Sequence, residues 1–136
     1  MSAKSWLKKF YPIPANKTRK SEALDHSILK WRGLQDSHLQ KHGLYRDYQT
    51  VRDLNADAEV LKVNARTCAL CVHFFGQTTA KHCTKCPLFI SRNGVKCDDY
   101  DSLKDQFSIY ADFLCGDPKP MLAALKKAKR DARRRK

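Results

Sequence analysis

Apolar residues recur at helical spacing soon after the start of the chain, in the segment 21–31. Leu24, Ile28 and Trp31 fall on one face of a helix, and acidic residues occupy its first turn. Gly33 lies just beyond the last apolar position, where glycine commonly ends a helix. We therefore predict a helix over this segment.

Four further segments have patterns of varying clarity. A second, shorter helix is predicted from Asp36 to His42, closed by Gly43. Residues 44–57 alternate too irregularly for an assignment, whereas 58–63 is typical of a strand. A third helix is predicted over 102–113.

The two ends of the chain differ in pattern. Pro12 and Pro14 indicate an irregular arm over residues 1–20, although its apolar residues predict that part of it docks on the body. Residues 119–135 form a narrow apolar stripe that fades into a basic run. We predict a helix there, with its first half packed and its second half projecting into solvent.

These elements together predict a mainly helical α+β fold in one small domain, stabilised by zinc and containing a short β element. The predicted divisions are a basic N-terminal arm (1–20), a body (21–118, with a metal site at 68–97) and a basic C-terminal helix (119–136).

Charge is concentrated at the two ends of this 136-residue chain. The net charge is +13, of which residues 1–20 carry +6 and residues 119–136 carry +8, while the body carries −1. This distribution is typical of basic arms that bind a polyanion, although charged ends also serve solubility. The predicted phosphate contacts are Lys4, Lys8, Lys9, Lys17, Arg19, Lys20, Lys126, Lys127, Lys129, Arg130, Arg133, Arg134 and Arg135.

Four of the six cysteines lie within nineteen residues, as two Cys-x2-Cys pairs separated by eleven residues. Each pair can present both sulfurs to one ion, so we predict a structural zinc site. The predicted ligands are Cys68, Cys71, Cys83 and Cys86, and Cys97, His73 or His82 is an alternative ligand. An iron–sulfur cluster is a less favoured alternative.

Other candidate sites are weaker. Asp98, Asp99, Asp101 and Asp105 follow Cys97 and either serve a catalytic zinc or complement a helix N-terminus. His38 and His42 lie one turn apart without a third ligand in view, and Phe74 and Phe75 either stack on bases or fill the core. Cys115 is predicted to be a buried thiol. No catalytic motif is present, so we predict that the protein is not an enzyme.

The stretches "ALDHSILKWRGLQDSHLQKHGL", "CALC", "CTKCPL" and "DPKPMLAAL" together resemble small cysteine-rich proteins of bacteriophages and prophages, to many of which zinc binding is attributed. The resemblance implies an accessory role in the cytosol of an infected bacterium and transfers no catalytic residue. Val72 and Pro87 stand where zinc-ribbon knuckles usually have glycine, so the site departs from a ribbon.

We therefore expect a zinc-binding module that binds nucleic acid through its arms with weak sequence selectivity. One alternative is a phage protein that inhibits or redirects a host protein, using a surface around Trp31, Leu34 and Leu44. Another is a metal-dependent hydrolase. The chain lacks the apolar segments of a signal peptide or membrane span, which predicts a cytoplasmic protein with reduced thiols. Neither DNA versus RNA nor the oligomeric state follows from the sequence.

Overall fold

The computed structural model describes residues 2–74, 86–93, 97 and 108–134, with no side-chain description at position 65. The helices and strands are, in chain order, α1 (Ala3–Phe10), α2 (Ala23–Gly33), α3 (Asp36–Lys41), β1 (Leu44–Asp47), β2 (Thr50–Asp53), β3 (Glu59–Lys62), α4 (Ala69–Phe74), α5 (Pro87–Ser91), α6 (Ile109–Leu114) and α7 (Lys119–Arg134). Short 3₁₀ segments occupy Ala15–Lys17, Lys20–Glu22 and Ala65–Thr67. The predicted mainly helical α+β class is confirmed.

Helix α2 is the centre of the molecule, because α1, α4 and α7 all pack against it. Of its predicted apolar face, Ile28 and Trp31 are buried and Leu24 is half-buried. The Trp31 ring meets Phe113 of α6 edge-on, with 4.7 Å between the ring centroids. The predicted helix is confirmed, but more of its surface is covered than the single predicted stripe.

The expectation of an irregular arm over residues 1–20 is wrong in its first half. Ser2 and Ser5 form a reciprocal capping box that starts α1. Trp6 and Phe10, one turn apart, are both buried, and the Trp6 indole donates a hydrogen bond to the Gly33 carbonyl at 2.9 Å. The prolines follow α1 instead of interrupting it, so the expected docking of apolar residues takes the form of a helix.

Gly33 lets α1 approach the end of α2 closely. A Cβ atom at this position would lie 2.3 Å from a ring atom of Phe10. Such a distance is impossible without displacement, so the absence of a side chain at Gly33 is what permits this packing.

The sheet has three antiparallel strands in the order β1-β2-β3. The predicted strand over 58–63 is confirmed as β3, whereas β1 and β2 lie in the segment that had no assignment. Asp47 pairs with Thr50, so Tyr48 and Gln49 form the turn between the first two strands. Tyr48 has a positive φ of 57°. Such a turn usually contains glycine or asparagine, which explains why the sequence pattern did not show the hairpin.

The C-terminal segments agree with the prediction in part. Helix α6 covers the described portion of the helix predicted over 102–113, since 102–107 lie outside the described residues. In α7, Met121, Leu125 and Ala128 are buried, as the narrow stripe predicted. The second half of α7 does not simply project into solvent. Lys129 forms an ion pair with Asp25, and Asp131 accepts a hydrogen bond from the Ser91 hydroxyl.

Two further expectations are wrong. Cys115 is exposed at the end of α6 and is not a buried thiol. Trp31, Leu34 and Leu44 are all buried in the core, so the surface suggested for binding a host protein does not exist at those residues.

Candidate nucleic-acid interface and thiol segment

The described thiols of the predicted metal site lie at the starts of two short helices. Cys68 directly precedes α4, Cys71 lies within it, and buried Cys86 occupies the N-cap position of α5. Cys83 and His82 lie outside the described residues, as do Phe75 and the acids Asp98, Asp99, Asp101 and Asp105. Among the residues that are described, no group of three or more His, Cys, Asp or Glu side chains is placed to hold a metal ion. A zinc site would therefore need at least one ligand outside the described residues, such as the predicted Cys83.

Lys30 of α2 is the unexpected member of this region, with an exposed fraction of 1%. Its ammonium donates a hydrogen bond to the Thr67 carbonyl at 2.9 Å and lies 5.7 Å from the centre of the Trp31 ring. Burial lowers the pKa of Lys30, while thiolate charge on Cys68, Cys71 and Cys97 would raise it. Because an opposite charge stabilises a buried one, an ammonium at Lys30 and thiolates at these cysteines would stabilise each other.

Cys68 is set up to be such an anion. Hydrogen bonding from Cys71 lowers the pKa of Cys68 to about 5, with the charge of Lys30 contributing further and burial opposing the shift. The Ser27 hydroxyl also lies near, although it does not meet the geometry of a hydrogen bond. The lowered pKa favours the thiolate, which is the form that binds metals and attacks electrophiles.

Cys97 is held near α6 by its backbone, since its carbonyl accepts a hydrogen bond from the Tyr110 amide at 3.0 Å. The pKa of Tyr110 is raised, first by burial and also by its neighbours Tyr48 and Cys97. Cys97 and Cys68 both act electrostatically on Lys30, so the two cysteines lie in the same region of the molecule.

The remaining aromatic and histidine candidates have structural contacts. His73 Nε2 hydrogen-bonds to the Thr18 carbonyl, which ties α4 to the N-terminal segment. Phe74 packs against the core with Lys20 Nζ 4.9 Å from its ring centre, as expected of a core-filling residue.

His38 of α3 and His42, which directly follows this helix, also pack against the core. The rings of His38 and His42 lie 5.0 and 6.2 Å from the Phe10 ring, and His42 Nδ1 is 2.8 Å from Ser5 Oγ. Burial, together with nearby positive charge, lowers the pKa of His42. These contacts favour the interpretation of ordinary packing over a metal pair.

Six of the predicted basic residues lie on the two segments that adjoin the start of α2, namely residues 17–20 and the last turns of α7. Lys129 of α7 forms an ion pair with Asp25 in the first turn of α2, at 2.5 Å. The last turns of α7 therefore lie beside the start of α2. The start of α2 directly follows the segment 17–20, which carries three further cations. We call this group the basic end; it consists of Lys17, Arg19, Lys20, Arg130, Arg133 and Arg134.

All six side chains of the basic end are exposed, and within the described part of the chain none of them is in an ion pair. The neighbouring acids Asp25 and Asp131 are already engaged by Lys129 and Lys127. Glu22 is the one exposed acid in the adjoining 3₁₀ segment. Counted over the residues that the structure describes, the basic end is thus a local excess of positive charge.

The lysines of α1 lie elsewhere. Lys4, Lys8 and Lys9 are exposed, but α1 packs against Gly33 at the opposite end of α2. Eight residues of helix separate Asp25 from Gly33, or about 12 Å along the axis. The predicted N-terminal arm is therefore divided between two surfaces. Lys126 is exposed on α7, and Arg135 lies outside the described residues.

Comparison with known proteins adds no assignment: no family model, curated protein or solved structure matches this chain. Within the described residues, none of the helices has the length and apolar character required to cross a membrane.

Proposed function

We propose that the protein is a non-enzymatic module that binds nucleic acid through the basic end. The observation that supports this function is the convergence of two segments, about a hundred residues apart in sequence, on one end of α2. Solubility alone would not require cations from both segments to share a surface. A phosphate backbone is the polyanion that matches such a surface, and phosphate contacts carry little base information.

In this proposal the segment that contains the predicted metal site, residues 68–97, has a structural role; we call it the thiol segment. The chain is small, and α4 and α5 are too short to be stable without tertiary contacts or a metal. Thiolates of the four predicted ligands, Cys68, Cys71, Cys83 and Cys86, are suitable donors for Zn²⁺, although the three of them that the structure describes are not grouped around one point. An iron–sulfur cluster would use the same donors. Lys30 would partly balance the negative charge of either site.

The setting that we propose is the cytosol of a bacterium during phage infection, on the basis of the resemblance described above. Reduced thiols are the form that metal binding requires, and that compartment maintains them.

The test is a comparison of two triple variants with the same change in net charge. Arg130→Gln/Arg133→Gln/Arg134→Gln removes charge from the basic end, and Lys4→Gln/Lys8→Gln/Lys9→Gln removes it from α1. Binding to a fluorescently labelled 20-nucleotide DNA or RNA is measured by anisotropy from 50 to 200 mM salt. We expect the arginine variant to lower the slope of log K against log salt by about 2 to 3, and the lysine variant to change it much less.

Equal effects of the two variants would show that only net charge matters. Unchanged affinity in the arginine variant would refute the proposed interface. Parallel titrations with single- and double-stranded DNA and with RNA identify which nucleic acid is preferred.

A further inference from the structure

Helix α1 and the end of α3 carry four lysines at the end of α2 opposite to the basic end. We call this group the lysine face; it consists of Lys4, Lys8, Lys9 and Lys41. All four side chains are exposed. The two helices that carry them are joined by a polar contact, since Ser5 Oγ of α1 lies 2.8 Å from His42 Nδ1 at the end of α3.

The packing of α1 on α3 places cations from both helices around one site. Lys9 Nζ lies 5.4 Å from the centre of the Phe10 ring, and the centre of the His42 ring lies 6.2 Å from the same point. Lys41 directly precedes His42 in the chain. After burial, the positive charges of Lys9 and Lys41 contribute most to lowering the pKa of His42. Both helices therefore contribute to one concentration of positive charge.

Little acidic charge is available to balance the lysine face. Residues 2–11 and 32–43 contain five lysines and arginines and one acid, Asp36. Asp36 is engaged elsewhere, because its carboxylate pairs with Arg46 at 2.6 Å. Among the residues that the structure describes, none of the four lysines belongs to an ion pair. Holding like charges close together costs electrostatic free energy, and a bound polyanion removes this cost.

The partner that fits the lysine face is a phosphate backbone and not a lipid surface. A basic helix that binds a membrane inserts its apolar side into the lipid. Trp6 and Phe10, the two aromatic residues of α1, are exposed by only 0% and 2% because they pack in the core. The lysine face is therefore a polar surface on a fixed helix, which can contact phosphates at little cost in ordering.

Helix α2 separates the lysine face from the basic end. Lys30 is the one lysine or arginine of α2 between Asp25 and Arg32, and it is buried. The exposed side of α2 therefore provides no basic path from one surface to the other. About 12 Å of helix lies between Asp25 and Gly33. The lysine face and the basic end are thus two separate surfaces.

We propose that the lysine face is a second phosphate-binding surface that takes another nucleic-acid segment, so that one molecule joins two duplexes. This inference rests on the proposed function, which assigns the first segment to the basic end. The basic end has six exposed cations and the lysine face has four, so the lysine face is the weaker surface. It adds little to the binding of a single duplex and is required to hold a second one.

The experiment measures the joining of two 20-base-pair DNA duplexes by the full-length protein. One duplex is fixed to beads and the other is fluorescent, and the wild type should retain the fluorescent duplex on the beads. Lys9→Gln/Lys41→Gln should reduce the retained fluorescence about five-fold and leave the Kd for a single duplex, measured by anisotropy, within about two-fold. Lys62→Gln/Lys119→Gln is the matched control, because it removes the same charge from exposed side chains that belong to neither surface.

The pKa of His42 provides a second measurement. A phosphate bound at the lysine face opposes the positive charges of Lys9 and Lys41, so a saturating amount of duplex should raise the pKa of His42 in an NMR titration. A pKa that the duplex leaves unchanged would overturn the inference. Joining of the duplexes by Lys9→Gln/Lys41→Gln as efficiently as by the wild type would also overturn it, and so would an equal loss in the matched control.

Two further outcomes assign a failure to one claim or the other. Binding to phosphatidylserine vesicles that requires Lys9 and Lys41, without joining of duplexes, would assign the lysine face to a membrane and overturn the inference. If Arg130→Gln/Arg133→Gln/Arg134→Gln binds a single duplex normally, the proposed function fails. If that variant loses single-duplex binding while Lys9→Gln/Lys41→Gln still joins two duplexes, only the second surface fails.

Discussion

Helices α1 and α7 are the two basic ends of the chain, yet they are attached to the molecule in different ways. Trp6 and Phe10 anchor α1 by apolar burial up to its last residue. Helix α7 is anchored by apolar residues only as far as Ala128, and beyond that by Lys129, Asp131 and their polar partners. Two helices of similar charge density can therefore differ in how firmly they are attached, because the spacing of the apolar residues decides how much of each helix is packed against the core.

The largest expected effect comes from removing the apolar anchor of α1. Trp6→Ala should lower the free energy of unfolding by about 3–5 kcal/mol, because the side chain is fully buried. Urea denaturation measures the change. Leu125→Ala is the matched variant on α7, where we expect a loss of about 2–5 kcal/mol for a residue of similar burial.

The comparison would break down if Trp6→Ala cost less than about 1 kcal/mol while Leu125→Ala cost the expected amount, since surface substitutions typically have such small effects. In that case residues 1–20 would behave as the loosely attached arm that Pro12 and Pro14 suggest.

The contrast between these helices also shows what sequence patterns can and cannot predict. Helices α2 and α7 were predictable because their apolar residues recur at helical spacing, and α3 was predictable because Gly43 marks its end. Helix α1 was not predicted, because Pro12 and Pro14 favour an irregular arm and the helical spacing of Trp6 and Phe10 is only a single pair. The hairpin of β1 and β2 was missed because Tyr48 adopts a left-handed conformation that its residue type does not suggest.

The candidate sites were predictable to different degrees. The cysteine spacing pointed to the thiol segment, but nothing in it indicated Lys30, since lysine is rarely buried. One available signal was that Ser27, Lys30 and Trp31 share a helical face. The basic residues were identified individually, but their division between two surfaces required knowledge of how α1 and α7 pack on α2.

A smaller effect concerns the polar attachment of α7. Hydrogen bonding from Lys127, and then from Ser91, lowers the pKa of Asp131 from 3.8 to about 2. A depressed pKa means that the stabilisation is present above pH 4 and is lost as the pH falls towards 2. Carbon-13 NMR of the carboxyl group should give a titration midpoint near 2.

The Ser91→Ala variant provides the control for this titration, and its midpoint should move upward towards 3.8. A native midpoint close to 3.8 would contradict the contacts of Asp131 with Ser91 and Lys127, since an aspartate without these donors titrates there.

The smallest effect should come from the ion pair between Lys129 and Asp25. Both side chains are partly exposed, at 36% and 60%, so Lys129→Ala should lower stability by only about 0.2–1 kcal/mol. The ion pair matters more for placement, because it joins α7 to the first turn of α2, which follows Lys17, Arg19 and Lys20 in the sequence. We therefore expect Asp25→Asn, which retains the shape of the side chain, to cost as little in urea denaturation as Lys129→Ala. Amide exchange in residues 129–134 should nevertheless be faster in both variants. A loss above about 2 kcal/mol in either variant would show that the end of α7 is held as firmly as α1, and the difference between the two helices would disappear.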